Sequence, residues 1–192
     1  MAILLHECSG QWNYFLALES DLQKITRYVE FVEDNFSTYS LEMAHLILAA
    51  CSEIDLVCKE ICKLENPNAS AANIVQYKNI ITMKFPSIGS MKSFIPRYGL
   101  EFCPWDNWLG NESPHWWKSY NNIKHDRNVN FSQSNLKNTL NSMSALFILN
   151  LILYRQKNIE TLSPSPLLFV PMKGMGRNGM SIGGTFGLFL NV

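Results

Sequence analysis

Apolar residues recur at alternating three- and four-residue steps in the first third of the chain, a spacing typical of an amphipathic helix. The first stripe predicts one helix of about six turns and consists of Phe15, Leu18, Leu22, Ile25, Val29, Val32 and Phe36. The next residues include Ser37, Thr38 and Ser40, which favour a turn and a helix N-cap. A second helix is predicted from Leu41 to Leu64, because Asn66-Pro67-Asn68 stops it.

The later helices are marked by weaker periodicity and by their caps. A third helix is predicted from Asn73 to Lys84. Ser113-Pro114 has the form of an N-cap followed by an N1 proline, which predicts a helix through about Lys124. Ser132 can cap a last long helix that runs to about Arg155. The second half of this helix is apolar on all sides, which indicates burial on several sides.

Two segments rich in glycine and proline do not fit this helical pattern. Residues 87–104 carry aromatic and aliphatic residues at alternate positions between glycines and prolines, which predicts a loop with one or two short strands. The tail from residue 158 holds three prolines and six of the ten glycines, and predicts a β-hairpin with strands at 167–170 and 186–190.

The predicted fold is therefore an all-α bundle of about five helices, formed by residues 1–157. A small β-containing insert occupies about residues 86–112. Residues 158–192 form a Gly/Pro-rich, hairpin-like C-terminal extension, which we expect to pack on the bundle or on a partner.

Composition adds a constraint on partners. The 192 residues are 47% hydrophobic and 17% charged, which excludes a disordered tail protein and is enough for one domain with its own core. Net charge is zero, but residues 1–66 hold eleven acids and four bases, whereas residues 67–192 hold five acids and twelve bases. The two halves can attract each other across a bundle, or the second half can present a basic face to an anion such as RNA phosphate.

The ends and the cysteines bear on location. The N-terminus lacks the basic start and long apolar stretch of a secretion signal, and the longest strongly apolar run, 145–154, is far short of a membrane span. The five cysteines, Cys8 among them, are an odd number, which favours reduced thiols. We therefore expect a cytoplasmic protein without a membrane partner. Cys51, Cys58 and Cys62 share one helical stripe and are expected to be small core residues; no metal or cofactor is predicted.

Two acids on the second helix are candidates for a polar pocket. Asp55 falls within the apolar stripe of that helix on a helical wheel, and Glu53 lies nearer its polar side. An acid on an apolar face needs a partner, because an unpaired buried charge is very costly. Asp55 is either a structural partner of a cation or backbone group, or a carboxylate that faces a functional site.

The densest polar run is Lys118-Ser-Tyr-Asn-Asn-Ile-Lys-His-Asp-Arg127. Its residues Lys118, Asn121, Asn122 and His125 share one helix face. An imidazole can move protons near neutral pH, and neighbouring cations can hold a phosphate. Metal-free RNA cleavage by the ribose 2′-hydroxyl needs these groups. The alternative is that His125 only caps the helix end and that Asp126-Arg127 forms a surface turn.

Four tryptophans lie within thirteen residues: Trp105, Trp108, Trp116 and Trp117. They allow two interpretations. They can pack in the core, or they can form a recognition surface on which single-stranded bases stack.

The segment Tyr120-Asn-Asn-Ile-Lys-His-Asp-Arg127, followed by Phe131 and by Asn135-Leu-Lys-Asn-Thr-Leu140 with its apolar helix, resembles the HEPN superfamily. Residues 45–59 are similar to the second helix of such proteins. The resemblance covers about residues 12–155. It implies an α-helical bundle that usually dimerises around the motif helix. Many members are metal-independent endoribonucleases of toxin–antitoxin, abortive-infection or other phage-defence systems.

The family signature is an arginine, four to six residues, and then a histidine, often with a polar residue after the arginine. His125 matches the histidine and Asn121 the polar position. Tyr120 occupies the arginine position at the shorter spacing, whereas Lys118, at the longer spacing, keeps the charge without the planar guanidinium fork.

The resemblance implies a role for each candidate residue. His125 would be the general acid or base, Lys118 and Arg127 would hold phosphate, Asn121 would orient it, and Asp55 or Glu53 would polarise the pocket. Further substrate contacts would come from Lys124, Tyr120, Asn122 and Trp117. The alternative is a non-catalytic homodimer of the same fold that binds RNA or an antitoxin-like protein partner.

Overall fold

Six α-helices form most of the protein in a computed structural model that describes residues 10–173, 175–180 and 186–190. The helices are α1 (Gly10–Ile25), α2 (Leu41–Glu65), α3 (Ile74–Lys84), α4 (His115–His125), α5 (Arg127–Asn130) and α6 (Leu136–Gln156). Because α5 is a single turn, five longer helices make the bundle. The prediction of an all-α fold is thereby confirmed at the level of fold class. Cys8 lies outside the described residues.

The centre of the bundle is α6. All residues from Ser142 to Tyr154 are buried, so this part of the helix has no solvent-facing side. It packs against α2 over most of its length and also contacts α1 and α4. A helix that is apolar all round is stable only when neighbours cover every face, and α6 has those neighbours. The sequence-based expectation of burial on several sides is confirmed.

The first helix is shorter than predicted. It ends at Ile25, and the expected continuation to Phe36 is wrong. The Thr26 hydroxyl donates to the carbonyl of Gln23 (2.7 Å) at the turn that follows. Beyond it, Phe31, which is not part of the predicted stripe, is fully buried. We attribute the path of the chain here to burial of this ring, because burying an aromatic side chain contributes more to the free energy of folding than adding one helical turn does.

The N-termini of α2 and α3 form as their side chains predict. The Ser40 hydroxyl accepts a hydrogen bond from the backbone N–H of Met43 (3.2 Å). The side-chain oxygen of Asn73, Oδ1, accepts from the backbone N–H groups of Val75 (3.2 Å) and Gln76 (3.1 Å). Each cap satisfies donors that the first helical turn leaves without a partner.

Two other helix starts differ from the prediction. The cap of α6 is Asn135, whose side chain accepts from the N–H of Asn138 (3.0 Å), and not Ser132, which lies in a preceding 3-10 turn. At α4, Pro114 itself occupies the N-cap position without a side-chain hydrogen bond, so the helix starts one residue later than Ser113-Pro114 indicated.

The insert contains the predicted short strands. β1 (Ser93–Ile95) pairs antiparallel with β2 (Leu100–Phe102). Gly99 joins them with a φ of 64°, a left-handed conformation that favours glycine. A third strand, β4 (Val170–Pro171), comes from the C-terminal extension and pairs with the other edge of β1. The extension is therefore joined to the insert by backbone hydrogen bonds.

The four clustered tryptophans belong to the core. Trp105 is fully buried, and its ring centroid lies 4.2 Å from that of Trp108 and 5.1 Å from that of Trp116. Trp116 donates its indole N–H to the carbonyl of Pro104 (2.7 Å). Trp117 is 8% exposed. The hypothesis that the four rings form an exposed recognition surface is wrong, because they are buried against one another, although Trp117 also lines a groove described below.

The C-terminal extension forms a second small sheet in the order β3 (Thr161–Leu162), β6 (Phe186–Leu190) and β5 (Gly176–Met180). The predicted strand at 186–190 is confirmed, but its predicted partner at 167–170 is wrong. Gly187 explains the close approach of β3, because a Cβ atom there would lie 2.8 Å from the Thr161 side chain and 3.1 Å from the Leu162 carbonyl oxygen.

A buried carboxylate joins this extension to the bundle. Glu19 on α1 is 1% exposed and accepts three backbone hydrogen bonds, from Leu167 (2.8 Å), Leu168 (2.9 Å) and Phe169 (3.1 Å). Desolvation by burial raises the pKa of Glu19, and the three backbone donors oppose that rise. The Phe169 ring also packs between aromatic residues of α1 and α6. The extension therefore packs on the bundle.

By length and composition, α6 is the described helix that could cross a membrane. Its apolar window is 83% buried within the protein. This burial is what the core helix of a bundle shows, and it leaves no apolar face for lipid.

We expect Glu19→Ala to lower the free energy of unfolding by about 3 kcal/mol or more, because it leaves the N–H groups of residues 167–169, two of them buried, without an acceptor. Urea denaturation measures the loss, and hydrogen exchange should accelerate at these three amides. The exposed neighbour supplies the control, since Ser20→Ala should change the stability by less than about 0.5 kcal/mol. Equal stability of the two variants would show that the carboxylate does not hold the extension.

Candidate functional site

The polar face of α4 ends at a stabilised helix terminus. His125 is the last residue of α4, and Asp126 caps the following single-turn helix by accepting from the N–H of Val129 (3.3 Å). The Asn130 amide donates back to the carbonyls of Asn122 (3.3 Å) and Asp126 (2.9 Å). These bonds satisfy carbonyl groups at the end of α4 and join α5 to it.

An open groove of about 400 Å³ lies at this terminus. Lys124, His125, Asp126 and Arg127 line it, and Leu48 of α2 contributes to its wall. We call it the His125 groove. All four polar residues are exposed. The Asp126 carboxylate is exposed as well, so Lys124, Arg127 and Asp126 together give the groove a formal charge of one positive unit.

A second groove, of about 540 Å³, lies where α2 meets both α3 and α4. We call it the Asp55 groove. Ser52 and Asp55 line it from α2, and Asn73 and Val75 from the start of α3. The α4 side consists of Trp117, Tyr120, Asn121 and Lys124.

The two grooves adjoin each other at Lys124, which lines both. On α2, Leu48 lines the His125 groove, and Ser52 and Asp55 line the other, so successive turns of one α2 face serve both. The Lys124 ammonium lies 5.6 Å from the ring centroid of Tyr120, a distance at which the ring face attracts a cation.

Asp55 is positioned by two partners. One carboxylate oxygen accepts from the Tyr77 hydroxyl (2.7 Å), and the other from the Lys59 ammonium (2.5 Å). The Asp55 side chain remains 29% exposed toward the groove. Burial and the hydrogen bond to Asp55 raise the pKa of Tyr77, so the phenol stays a donor to this carboxylate. Asp55 is thus both a structural partner and a carboxylate that faces a groove.

Glu53 does not share this site. It is two residues from Asp55 on α2, which places the side chains about 200° apart around the helix. Glu53 is 8% exposed and does not line either groove among the described residues. Desolvation, with a smaller contribution from the negative charge of Glu60, raises the pKa of Glu53.

The remaining predicted residues are not all brought to His125. Lys118, two helical turns away, pairs with Glu112 (2.8 Å) and is absent from the described lining of both grooves. Asn122 donates its amide to the Gln133 side chain (3.0 Å).

Two predicted substrate contacts are largely buried. Tyr120 and Trp117 are each 8% exposed, and their ring centroids lie 5.1 Å apart. Each lines the Asp55 groove with the small part of its side chain that is exposed. Tyr120, at the position of the family arginine, therefore acts as a wall residue and brings no charge to the site.

Sequence analysis missed several groove residues because they come from other helices. Ser52 follows Leu48 by four residues and precedes Asp55 by three, a spacing that could have identified one α2 face. Val75, which lines the groove from α3, carries no such signal, and neither does Tyr77, which is buried behind the groove and holds Asp55.

We expect Glu53→Gln to stabilise the protein at pH 7. A raised pKa means that the folded state binds the proton more tightly than the unfolded state does. Glu53 therefore contributes favourably to folding stability below its ordinary pKa of 4.5, and this contribution is lost as pH rises through the pKa in the folded state. Glutamine does not titrate. Denaturation between pH 3.5 and pH 8 should show that the stability advantage of Glu53→Gln over the wild type grows with pH. Glu30→Gln, at an exposed glutamate, should show no such growth. A constant advantage of Glu53→Gln across this range would contradict the raised pKa of Glu53.

Searches of protein-family models, curated proteins and solved structures find no match to this chain. The likeness of α4 to the HEPN motif thus stands on the residues themselves, and function has to be argued from the two grooves.

Proposed function

We propose that this protein is a HEPN-like, metal-independent endoribonuclease in which His125 acts as the general acid or base. The observation that supports the proposal most directly is the His125 groove, where an exposed imidazole lies beside Lys124 and Arg127 at one helix end. The groove is open, so an extended RNA strand can enter it. The resemblance of the polar α4 sequence to the HEPN motif also supports the proposal.

The reaction follows from the chemistry of RNA. The ribose 2′-oxygen attacks the adjacent phosphorus while its proton is removed, the bond to the 5′-oxygen breaks, and that oxygen receives a proton. The products are a 2′,3′-cyclic phosphate and a 5′-hydroxyl. His125 carries out one of the two proton transfers. In the homodimer that we propose, His125 of a second copy would supply the other.

Lys124 and Arg127 would stabilise the charge that develops on the phosphate oxygens. Arg127 can grip two oxygens with its planar guanidinium, and Lys124 provides a point charge. The ion pair of Lys118 with Glu112 makes Lys118 a weaker candidate for this role than its spacing implied. Asn121 lies in the neighbouring groove, where it can orient the strand that leaves the reactive phosphate.

Binding without cleavage is the second candidate function. The buried ring of Tyr120 at the family arginine position favours it, because no guanidinium enters the site from that position. Such a protein would hold RNA through the same cations, or would bind an antitoxin-like protein partner. A cytoplasmic location and a role in defence against phage are part of both proposals.

We expect His125→Ala to reduce single-turnover cleavage of a mixed RNA pool about 100-fold or more, the usual contribution of a general acid or base. The assay contains EDTA, and mapping of cyclic phosphate ends identifies the product. His115→Ala is the matched control, because His115 is an exposed histidine at the other end of α4 and lines neither groove in the described structure.

Two outcomes would refute the enzymatic proposal. One is a wild-type protein that leaves all RNA intact, and the other is equal cleavage by wild type and His125→Ala. RNA binding in the first case would support the second candidate function.

For either function, we expect Lys124→Met and Arg127→Met each to weaken RNA binding. Each change should also reduce the slope of log affinity against log salt by about 0.7, as for one lost contact with a single-stranded phosphate chain. Fluorescence anisotropy at several salt concentrations measures both. Lys63→Met is the control for net charge, since Lys63 is exposed near the far end of α2. An equal effect of all three would mean that charge, and not the groove, binds RNA.

A further inference from the structure

The proposed chemistry takes place in the His125 groove, and the larger Asp55 groove enters it only through Asn121, which orients the departing strand. Its volume of about 540 Å³ lies within the range of roughly 300–1,000 Å³ that is usual for small-molecule sites. The two grooves share Lys124, so a phosphate bound there lies at the entrance of the Asp55 groove. A nucleotide attached to that phosphate would have its base near Asp55.

The carboxylate of Asp55 has acceptor capacity left. Each of its oxygens has one protein partner, Tyr77 for one and Lys59 for the other. An ionised carboxylate has about four lone-pair positions, two on each oxygen. The Asp55 side chain is 29% exposed and lines the groove, so a ligand in the groove can reach it. Asp55 can therefore accept two parallel hydrogen bonds from one ligand.

Among the four RNA bases, guanine is the one that presents two adjacent donors, N1–H and the exocyclic N2 amino group, on its Watson–Crick edge. Adenine and cytosine each place an acceptor beside their amino group, and uracil has a single N–H between two carbonyls. Proteins that recognise single-stranded RNA read this edge directly. A carboxylate that accepts two hydrogen bonds thus selects guanine.

The rest of the groove suits a flat base with a carbonyl group. Trp117 and Tyr120 form an apolar wall on α4, and Val75, which is 58% exposed, lies on the α3 side. Within the described structure, the Asn121 side chain has no hydrogen-bond partner, and its amide can donate to guanine O6. The donors and acceptors of the groove then complement the guanine edge.

We propose that the Asp55 groove binds a guanine base next to the phosphate held at Lys124, with Asp55 as the specificity-determining residue. This inference rests on the proposed RNA function and adds its base preference. Asp55 is a recognition residue here, and proton transfer stays with His125.

The test measures binding of the wild-type protein to four oligouridine 9-mers that carry G, A, C or U at the central position. All nucleotides are 2′-fluoro, so the strands lack the attacking hydroxyl and stay intact. We expect the G strand to bind about tenfold more tightly than the U strand, the usual discrimination of a bidentate side-chain contact. Inosine in place of guanine lacks the N2 amino group and should lose most of this preference, and this measurement needs no protein variant.

Asp55→Asn should abolish the preference for guanine, because an amide replaces one acceptor with a donor. The asparagine oxygen can still accept from Tyr77, which protects the fold. Binding of the U strand should not weaken, since a negative charge is removed. Asp21→Asn is the matched control: Asp21 is paired with Lys24 on α1 (2.7 Å), as Asp55 is with Lys59, but lies outside the groove.

Each outcome gives a decision. A guanine preference that disappears with inosine and in Asp55→Asn, but persists in Asp21→Asn, supports the proposal. Equal binding of the four strands, or a preference that survives in Asp55→Asn, overturns this inference while leaving the RNA function intact. Absence of binding to any strand refutes the RNA function and this inference together.

Discussion

The packing of α6 against α2 is the interaction on which the rest of the protein depends. Each fully buried aliphatic or aromatic side chain contributes about 1.5–3 kcal/mol, and α6 buries a continuous run of them. Because α6 needs cover on every side, α1, α2 and α4 have to surround it. This requirement turns the tryptophan face of α4 inward and its His125 face outward, so the candidate site is a consequence of how the core is covered.

Local signals predicted that α2, α3 and α6 are helices, because apolar periodicity and helix-stopping residues act over a few residues, although the cap of α6 is Asn135 and not Ser132. They failed between residues 26 and 36, where the stripe continues in the sequence but Phe31 is buried instead. They also failed in the C-terminal extension. There, β4 pairs with a strand more than seventy residues earlier, and no local pattern identifies such a partner.

In the candidate site too, local sequence predicted some residues, whereas others are brought together only by the fold. The exposed cluster around His125 was predictable, since its residues belong to one helix end. The partners of Asp55 were not, because Tyr77 reaches it from α3. The fold was also needed to decide which of the two acids, Asp55 or Glu53, lines the groove. Two acids two residues apart on a helix point to different sides, and only the position of α3 and α4 shows which side carries the groove.

The bond between Glu19 and residues 167–169 spans about three quarters of the chain, since the first donor follows it by 148 positions. During synthesis, α1 leaves the ribosome long before those amides exist. Until they arrive, the charge of Glu19 has to remain hydrated, and this edge of α1 stays open to water. Ribosome-bound chains that end before residue 167 therefore have an incompletely closed bundle, and the later synthesis of residues 167–169 completes the packing of α1.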